Sequence, residues 1–170
     1  KRRITEDIEN IGAKKIRDFY NVTAGALQKR PPRMKTIDHK MDVDGGQIRI
    51  REYIPNDFVA NNHSMLFFHG GGFSIGSIRT HDPVCKFFAK MLGWKIFSVE
   101  YRLAPENRFP IPLEDCDQSM DWLIENADKF EIDADKIAVG GDSAGGNIAA
   151  CLCIKRIEEG KKEPERQILF

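Results

Sequence analysis

A serine set among glycines, Gly141-Asp142-Ser143-Ala144-Gly145-Gly146, lies between the short apolar run Ile137-Ala138-Val139 and the helical pattern of Ile148 to Ile157. Gly-x-Ser-x-Gly in a strand, sharp turn, helix context presents a serine hydroxyl as a nucleophile. Gly141 and Gly145 suit that role because a helix can pass close to a strand only where Cβ atoms are missing, leaving the hydroxyl exposed on a strained turn. The helix that begins there also aims its free N–H groups at whatever reacts at Ser143. A second glycine run, His69-Gly70-Gly71-Gly72-Phe73, follows Met65 to Phe68. Chemistry that builds negative charge on a carbonyl oxygen needs preorganised N–H donors, and a glycine run lets backbone amides face such an oxygen. The phosphate-binding alternatives fail on spacing: Gly76 comes one residue too late for a dinucleotide fingerprint after Gly70 and Gly72, and no Gly-Lys-Ser/Thr follows for a P-loop.

Elements with matching patterns stand around these two runs. Ile37 to Val43, the turn Asp44-Gly45-Gly46, and Ile48, Ile50 and Ile54 alternating with Arg49, Arg51 and Tyr53 predict a hairpin with a half-exposed second strand. Met65 to Phe68, Ile96 to Val99 and Ile137 to Val139 are apolar without alternation, as strands buried on both faces are. Between them, Asp82-Pro83 predicts a helix start before Val84, Phe87, Phe88, Met91 and Leu92, with Gly93 as its stop. A further helix after Pro105, Pro110 and Pro112 buries Leu113, Cys116, Met120, Leu123 and Ile124. Residues from Thr5 to Leu27 carry an interrupted helical stripe, including Ile16, Phe19 and Tyr20, that must pack on something, and Pro31-Pro32 marks the one internal boundary. The whole reads as a mostly parallel sheet covered by helices on both faces.

With 170 residues, 26 Lys plus Arg against 26 Asp plus Glu, and 41% hydrophobic residues, the chain has room for one domain and no global field to hold a polyphosphate. This argues against a nucleic-acid partner, and the apolar runs are too short for a membrane span. Cys85, Cys116, Cys151 and Cys153 fit helical packing better than a disulfide or zinc site, so a reducing, cytoplasmic compartment is expected.

His69-Gly70-Gly71-Gly72-Phe73, Tyr101-Arg102-Leu103-Ala104-Pro105-Glu106 and Gly141-Asp142-Ser143-Ala144-Gly145-Gly146, in that order, resemble the hormone-sensitive-lipase-like esterases, a branch of the α/β-hydrolases. The resemblance implies a carboxylic ester hydrolase for short to medium acyl esters. Ser143 would be the nucleophile, the N–H groups of Gly71, Gly72 and Ala144 the oxyanion hole, and residues 1–30 part of a helical cap on a catalytic domain begun by residues 31–170. His69 is expected to orient the oxyanion loop, with the general base as its alternative role, and Gly70, Gly141, Gly145 and Asp142 to shape and anchor the turns. His81 reads as a helix-start residue, His39 and His63 as exposed, and Glu106 as a possible support from behind the site. No metal or organic cofactor is implied.

In this fold the acid and histidine follow the serine in sequence, and no residue here fits either position. They are expected from a second polypeptide or a continuation, so that this chain alone would be inactive. Gln167 to Phe170 read as the opening of a further strand, an apolar edge expected to leave residues 1–170 unstable as a monomer and to receive another stretch of polypeptide that brings the histidine to Ser143. The alternatives are a receptor-like relative that binds small molecules without turnover and a truncated, non-functional fragment.

Overall fold

Met65, Leu66, Phe67 and Phe68 are all completely buried, and their alternation decides what each touches. The computed structural model describes residues 12–26 and 30–170. Its elements are α1 (Ala13–Ala26), β1 (Lys35–Val43), β2 (Gly46–Ile54), β3 (Asn62–Phe68), α2 (Ile78–Leu92), β4 (Lys95–Glu100), α3 (Ile111–Glu125), β5 (Ile132–Gly141), α4 (Ala144–Glu158) and β6 (Arg166–Leu169). The six strands form one sheet in the order β1-β2-β4-β3-β5-β6. β1, β2 and β4 pair antiparallel, while β4, β3, β5 and β6 run parallel.

On one face Leu66, Phe68, Phe97 and Val99 pack with Cys116, Met120 and Leu123 of α3 and with Ile148 and Leu152 of α4. On the other, Met65, Phe67, Ile96 and Ala138 meet Cys85 and Ala89 of α2. Strands covered on both sides need apolar residues at every position, which is why these runs lack alternation. Full burial of one such side chain contributes about 1.5–3 kcal/mol. β1 and β2 alternate buried and exposed residues around the two-residue turn Asp44-Gly45.

Two expectations are corrected. Helix α2 begins at Ile78 and not near Asp82: the Ser77 hydroxyl accepts from the Thr80 N–H at 3.2 Å and the Thr80 hydroxyl accepts from the Ser77 N–H at 2.9 Å. This reciprocal cap outweighs the hydrogen bond that Pro83, inside the helix, cannot donate. His39 and His63 are largely covered: His39 lies 3.0 Å from Glu52, which also pairs with Lys95, and His63 stacks on Trp94. Of the α1 residues expected to pack, Tyr20 is half-buried beside Phe67 and Phe88, while Ile16 and Phe19, like Val22, are 39%, 71% and 67% exposed. Arg17, Tyr20 and Asn21 lie on the more covered side. The part of the expected Thr5–Leu27 helical stretch before residue 12, and Leu27 at its end, lie outside the described residues.

Candidate active site

Adjacent parallel strands end together, so the loops leaving them must meet. Phe67 and Phe68 at the end of β3 pair with Gly140 and Gly141 at the end of β5. The glycine run departs from the first strand and the Ser143 turn from the second. A Cβ on Gly145 would collide with the carbonyl of Phe68, and one on Gly141 would meet both that carbonyl and the backbone of Gly145. These two glycines therefore let α4 rise directly over the end of β3.

Ser143 has φ 50° and ψ −115°, a conformation costing on the order of 1–3 kcal/mol for a residue with a Cβ. Its surroundings hold it there. The Ser143 N–H donates to the Phe170 carbonyl at 3.1 Å, its carbonyl accepts from Asn147 at 3.0 Å, and the Gly145 N–H donates to Asp142 at 2.8 Å. The residue is exposed. Ala144, the first residue of α4, has no preceding turn of helix to take its N–H.

Gly71 and Gly72 have φ of 126° and 57°. The Gly71 carbonyl accepts from Ser74 at 3.1 Å and Ile75 at 2.9 Å. Because a trans peptide points its C=O and N–H to opposite sides, the Gly72 N–H is directed away from that turn. Among the described residues, neither the Gly71 nor the Gly72 N–H donates to any protein acceptor. Asp142 ties the two loops together: one carboxylate oxygen accepts the Gly70 N–H at 2.9 Å and lies 3.2 Å from His81 Nε2. Burial alone would raise the Asp142 carboxyl, but the bonds from His81 and Gly70 outweigh it and hold the group below its ordinary value, keeping the anion.

His69 is fully buried between Tyr101, 4.3 Å from ring to ring, and His81. Its Nδ1 lies 2.9 Å from the Gly70 carbonyl, which can only accept, so the neutral ring carries its proton on Nδ1. Tyr101 donates to the His69 carbonyl at 2.6 Å. Burial lowers the imidazole to about 4, from 6.5 in the open chain, so the ring stays neutral where an unfolded one would protonate. The unfolded state then binds the extra proton, and stability is complete above roughly pH 6.5 and lost as pH falls toward about 4, by about 3 kcal/mol. Urea unfolding of the whole protein across this range should show that loss, and His69→Asn, which retains a donor for the Gly70 carbonyl, should flatten it. An equally steep decline in the variant would assign the acid sensitivity elsewhere.

The segment 101–106 lies against the glycine loop: the Ala104 N–H donates to the Phe73 carbonyl at 2.9 Å. Arg102 anchors this segment to the buried Asp115 of α3 at 2.6 Å. Beside Gly72 opens a pocket of about 360 Å³, walled by Phe73, Phe109, Leu113, Ile148 and Cys151 with Asn147 as a polar edge. Among the described residues no cluster of His, Cys, Asp or Glu is placed to hold a metal ion, and no helix is long and apolar enough to cross a membrane.

The structure thus brings Gly70, Gly71, Gly72, Asp142, Ser143 and Ala144 to one end of the sheet and sets His69 behind them. Sequence reasoning missed His81 as the partner of Asp142 and Arg17 as a contact of this region. His81 had a signal, a polar residue directly after the Ser77-x-x-Thr80 cap and one helical turn from Ser77, which turns it inward along α2; Arg17 had none.

A strand-turn-helix serine beside a glycine loop on a mixed sheet is the arrangement of the α/β-hydrolase fold, and residues 65–170 match that family. The chain belongs to its hormone-sensitive-lipase-like branch of esterases. It is 36% identical over 139 residues to an arylesterase of Saccharolobus solfataricus, covering 82% of this chain and 45% of that protein. It is 37% identical over 140 residues to neutral cholesterol ester hydrolase 1 of Rattus norvegicus, covering 79% of this chain and 34% of that one. The crystal structure of EstE1, a thermostable carboxylesterase cloned from a metagenomic library, superposes with a TM-score of 0.89 at 38% identity, over 94% of this chain and 54% of its own. The chain therefore spans about half or less of the length of these relatives.

Proposed function

We propose that the whole protein hydrolyses carboxylic esters, with Ser143 as nucleophile. The observation that carries this reading is the meeting of the exposed, conformationally constrained Ser143 with a glycine loop whose Gly71 and Gly72 N–H groups have no protein acceptor. A base supplied from outside this chain, a histidine oriented by an aspartate, removes the hydroxyl proton as Oγ attacks the ester carbon. The carbonyl electrons pass to oxygen, and the N–H groups of Gly71, Gly72 and Ala144 hold the resulting oxyanion. The protonated base gives its proton to the departing alcohol, and water repeats the sequence on the acyl-serine. His69 is unsuited to be that base, being buried, neutral and committed to the Gly70 carbonyl. Its role, with Asp142, is to keep the loop and the turn in register.

The apolar pocket beside Gly72 supports short to medium acyl esters as substrates. Residues 1–30 would belong to a cap and residues 31–170 to the first part of the catalytic domain. Four unpaired cysteines support a cytoplasmic setting. The reading is tested by treating the whole protein with a fluorophosphonate and mapping the adduct. The label should sit on Ser143 and hydrolysis of p-nitrophenyl butyrate should cease with it. A label on another residue, or full activity after labelling, would remove the assignment.

A further inference from the structure

A helix with a usable apolar stripe normally buries it, yet α1 turns Ile16, Phe19 and Val22 outward and sets Arg17 and Asn21 against the rest of the molecule. What those two residues touch explains the choice. The Arg17 guanidinium donates from Nε to the Ser74 carbonyl at 2.6 Å, from Nη2 to the Ala104 carbonyl, and to the two carboxylate oxygens of Glu106 at 3.0 and 2.6 Å. One turn along, Asn21 accepts the hydroxyl of Ser77 at 2.9 Å. Two of these partners, Ser74 and Ser77, lie on the segment that begins with the glycine run.

That segment, residues 69–77, belongs to no strand and meets α2 only at its last residue. Its ties can be followed in order. Gly70 is bonded to Asp142, Gly71 closes the turn onto Ser74 and Ile75, and Phe73 accepts from Ala104. The Ser74 carbonyl then finds its partner in Arg17. The same guanidinium holds Ala104 and Glu106, so one planar fork joins the two segments that flank the pocket beside Gly72.

We propose that Arg17 is a positioning residue for the oxyanion loop, fastening Ser74 to the 101–106 segment and thereby fixing the direction of the Gly71 and Gly72 N–H groups. This rests on the esterase reading above. Glu106 pairs with the guanidinium charge, so the contribution is geometric. Lysine could not replace it, because one ammonium cannot span two carbonyls and both carboxylate oxygens. Loss of an aligned oxyanion donor costs about 10²–10³ in kcat, and loosening the loop should forfeit part of that.

The test uses the whole protein and its Arg17→Ala and Arg17→Lys variants, assayed well below their melting temperatures. For Arg17→Ala, kcat should fall about 10- to 100-fold with KM changed less than about threefold. The inhibition constant of a trifluoromethyl ketone, whose adduct with serine carries an oxyanion, should weaken by a similar factor, and amide exchange across residues 70–77 should quicken. Arg17→Lys, the variant to read if alanine prevents folding, should still lose at least about fivefold in kcat. A folded variant whose kcat and inhibition constant stay within twofold of the parent would overturn the proposal, even with a lowered melting temperature. A parent protein without Ser143-dependent hydrolysis would instead overturn the esterase reading, and this inference with it.

Discussion

Replacing Ser143 by alanine in the whole protein should lower kcat for a p-nitrophenyl ester by about 10⁴ or more, with no change in melting temperature. The two halves of this expectation have separate causes. Alanine keeps the Cβ, so the strain of φ 50° and the backbone bonds to Phe170 and Asn147 are the same in both proteins. The hydroxyl has no hydrogen-bond partner among the described residues and leaves no buried group unpaired. Only the nucleophile is lost, and the remaining oxyanion donors would sustain no more than a small residual rate. Steady-state kinetics with a thermal melt decide the matter. A variant with a tenth of the parent rate would show that Ser143 is not the attacking group.

Gly71→Ala and Gly72→Ala should differ, and the difference separates an oxyanion hole from a flexible hinge. A Cβ on Gly71 would run into the Ile75 carbonyl and require a φ of 126°, which side-chain-bearing residues rarely adopt, so the turn must open. With it the neighbouring N–H groups lose their direction, and kcat should drop by about 10²–10³. At Gly72 the Cβ would meet nothing and φ is 57°, a left-handed value costing about 1–2 kcal/mol. That variant should fold normally and lose rate only as far as the methyl group obstructs the ester beside the pocket. Equal and near-parental rates in both would reject the oxyanion assignment. Circular dichroism alongside the kinetics shows that the Gly71→Ala loss is local.

The strands were legible because burial on both faces demands unbroken apolar runs, and Met65 to Phe68 or Ile96 to Val99 allow little else. The serine and glycine turns were legible for a related reason: their backbone geometry excludes side chains, so the requirement is written in residue type. The start of α2 was misplaced because Asp82-Pro83 resembles a cap, whereas the real one depends on two hydroxyls exchanging bonds across Ser77 and Thr80. The covered face of α1 was only partly legible. Periodicity reports which side of a helix is apolar, and here the covered side is set by carbonyls on a distant loop that only a guanidinium reaches. Nothing in residues 13–26 announces Ser74 or Ala104. His81 and Asp142, 61 positions apart, illustrate the same limit.

The bond between Ser143 and Phe170 has a meaning in time. The Phe170 carbonyl takes the Ser143 N–H, and the Phe170 N–H returns to the Gly141 carbonyl. At about 5–20 residues per second, the ribosome adds the stretch from 143 to 170 in roughly 1–5 s. During that interval the turn around Ser143 lacks the fastening that offsets its strain, although the strands of the hairpin and the glycine loop have already been made. A growing chain thus receives its framework first and its sharply bent serine late, so that the reactive geometry is withheld from a nascent protein until the sheet beyond it has been laid down.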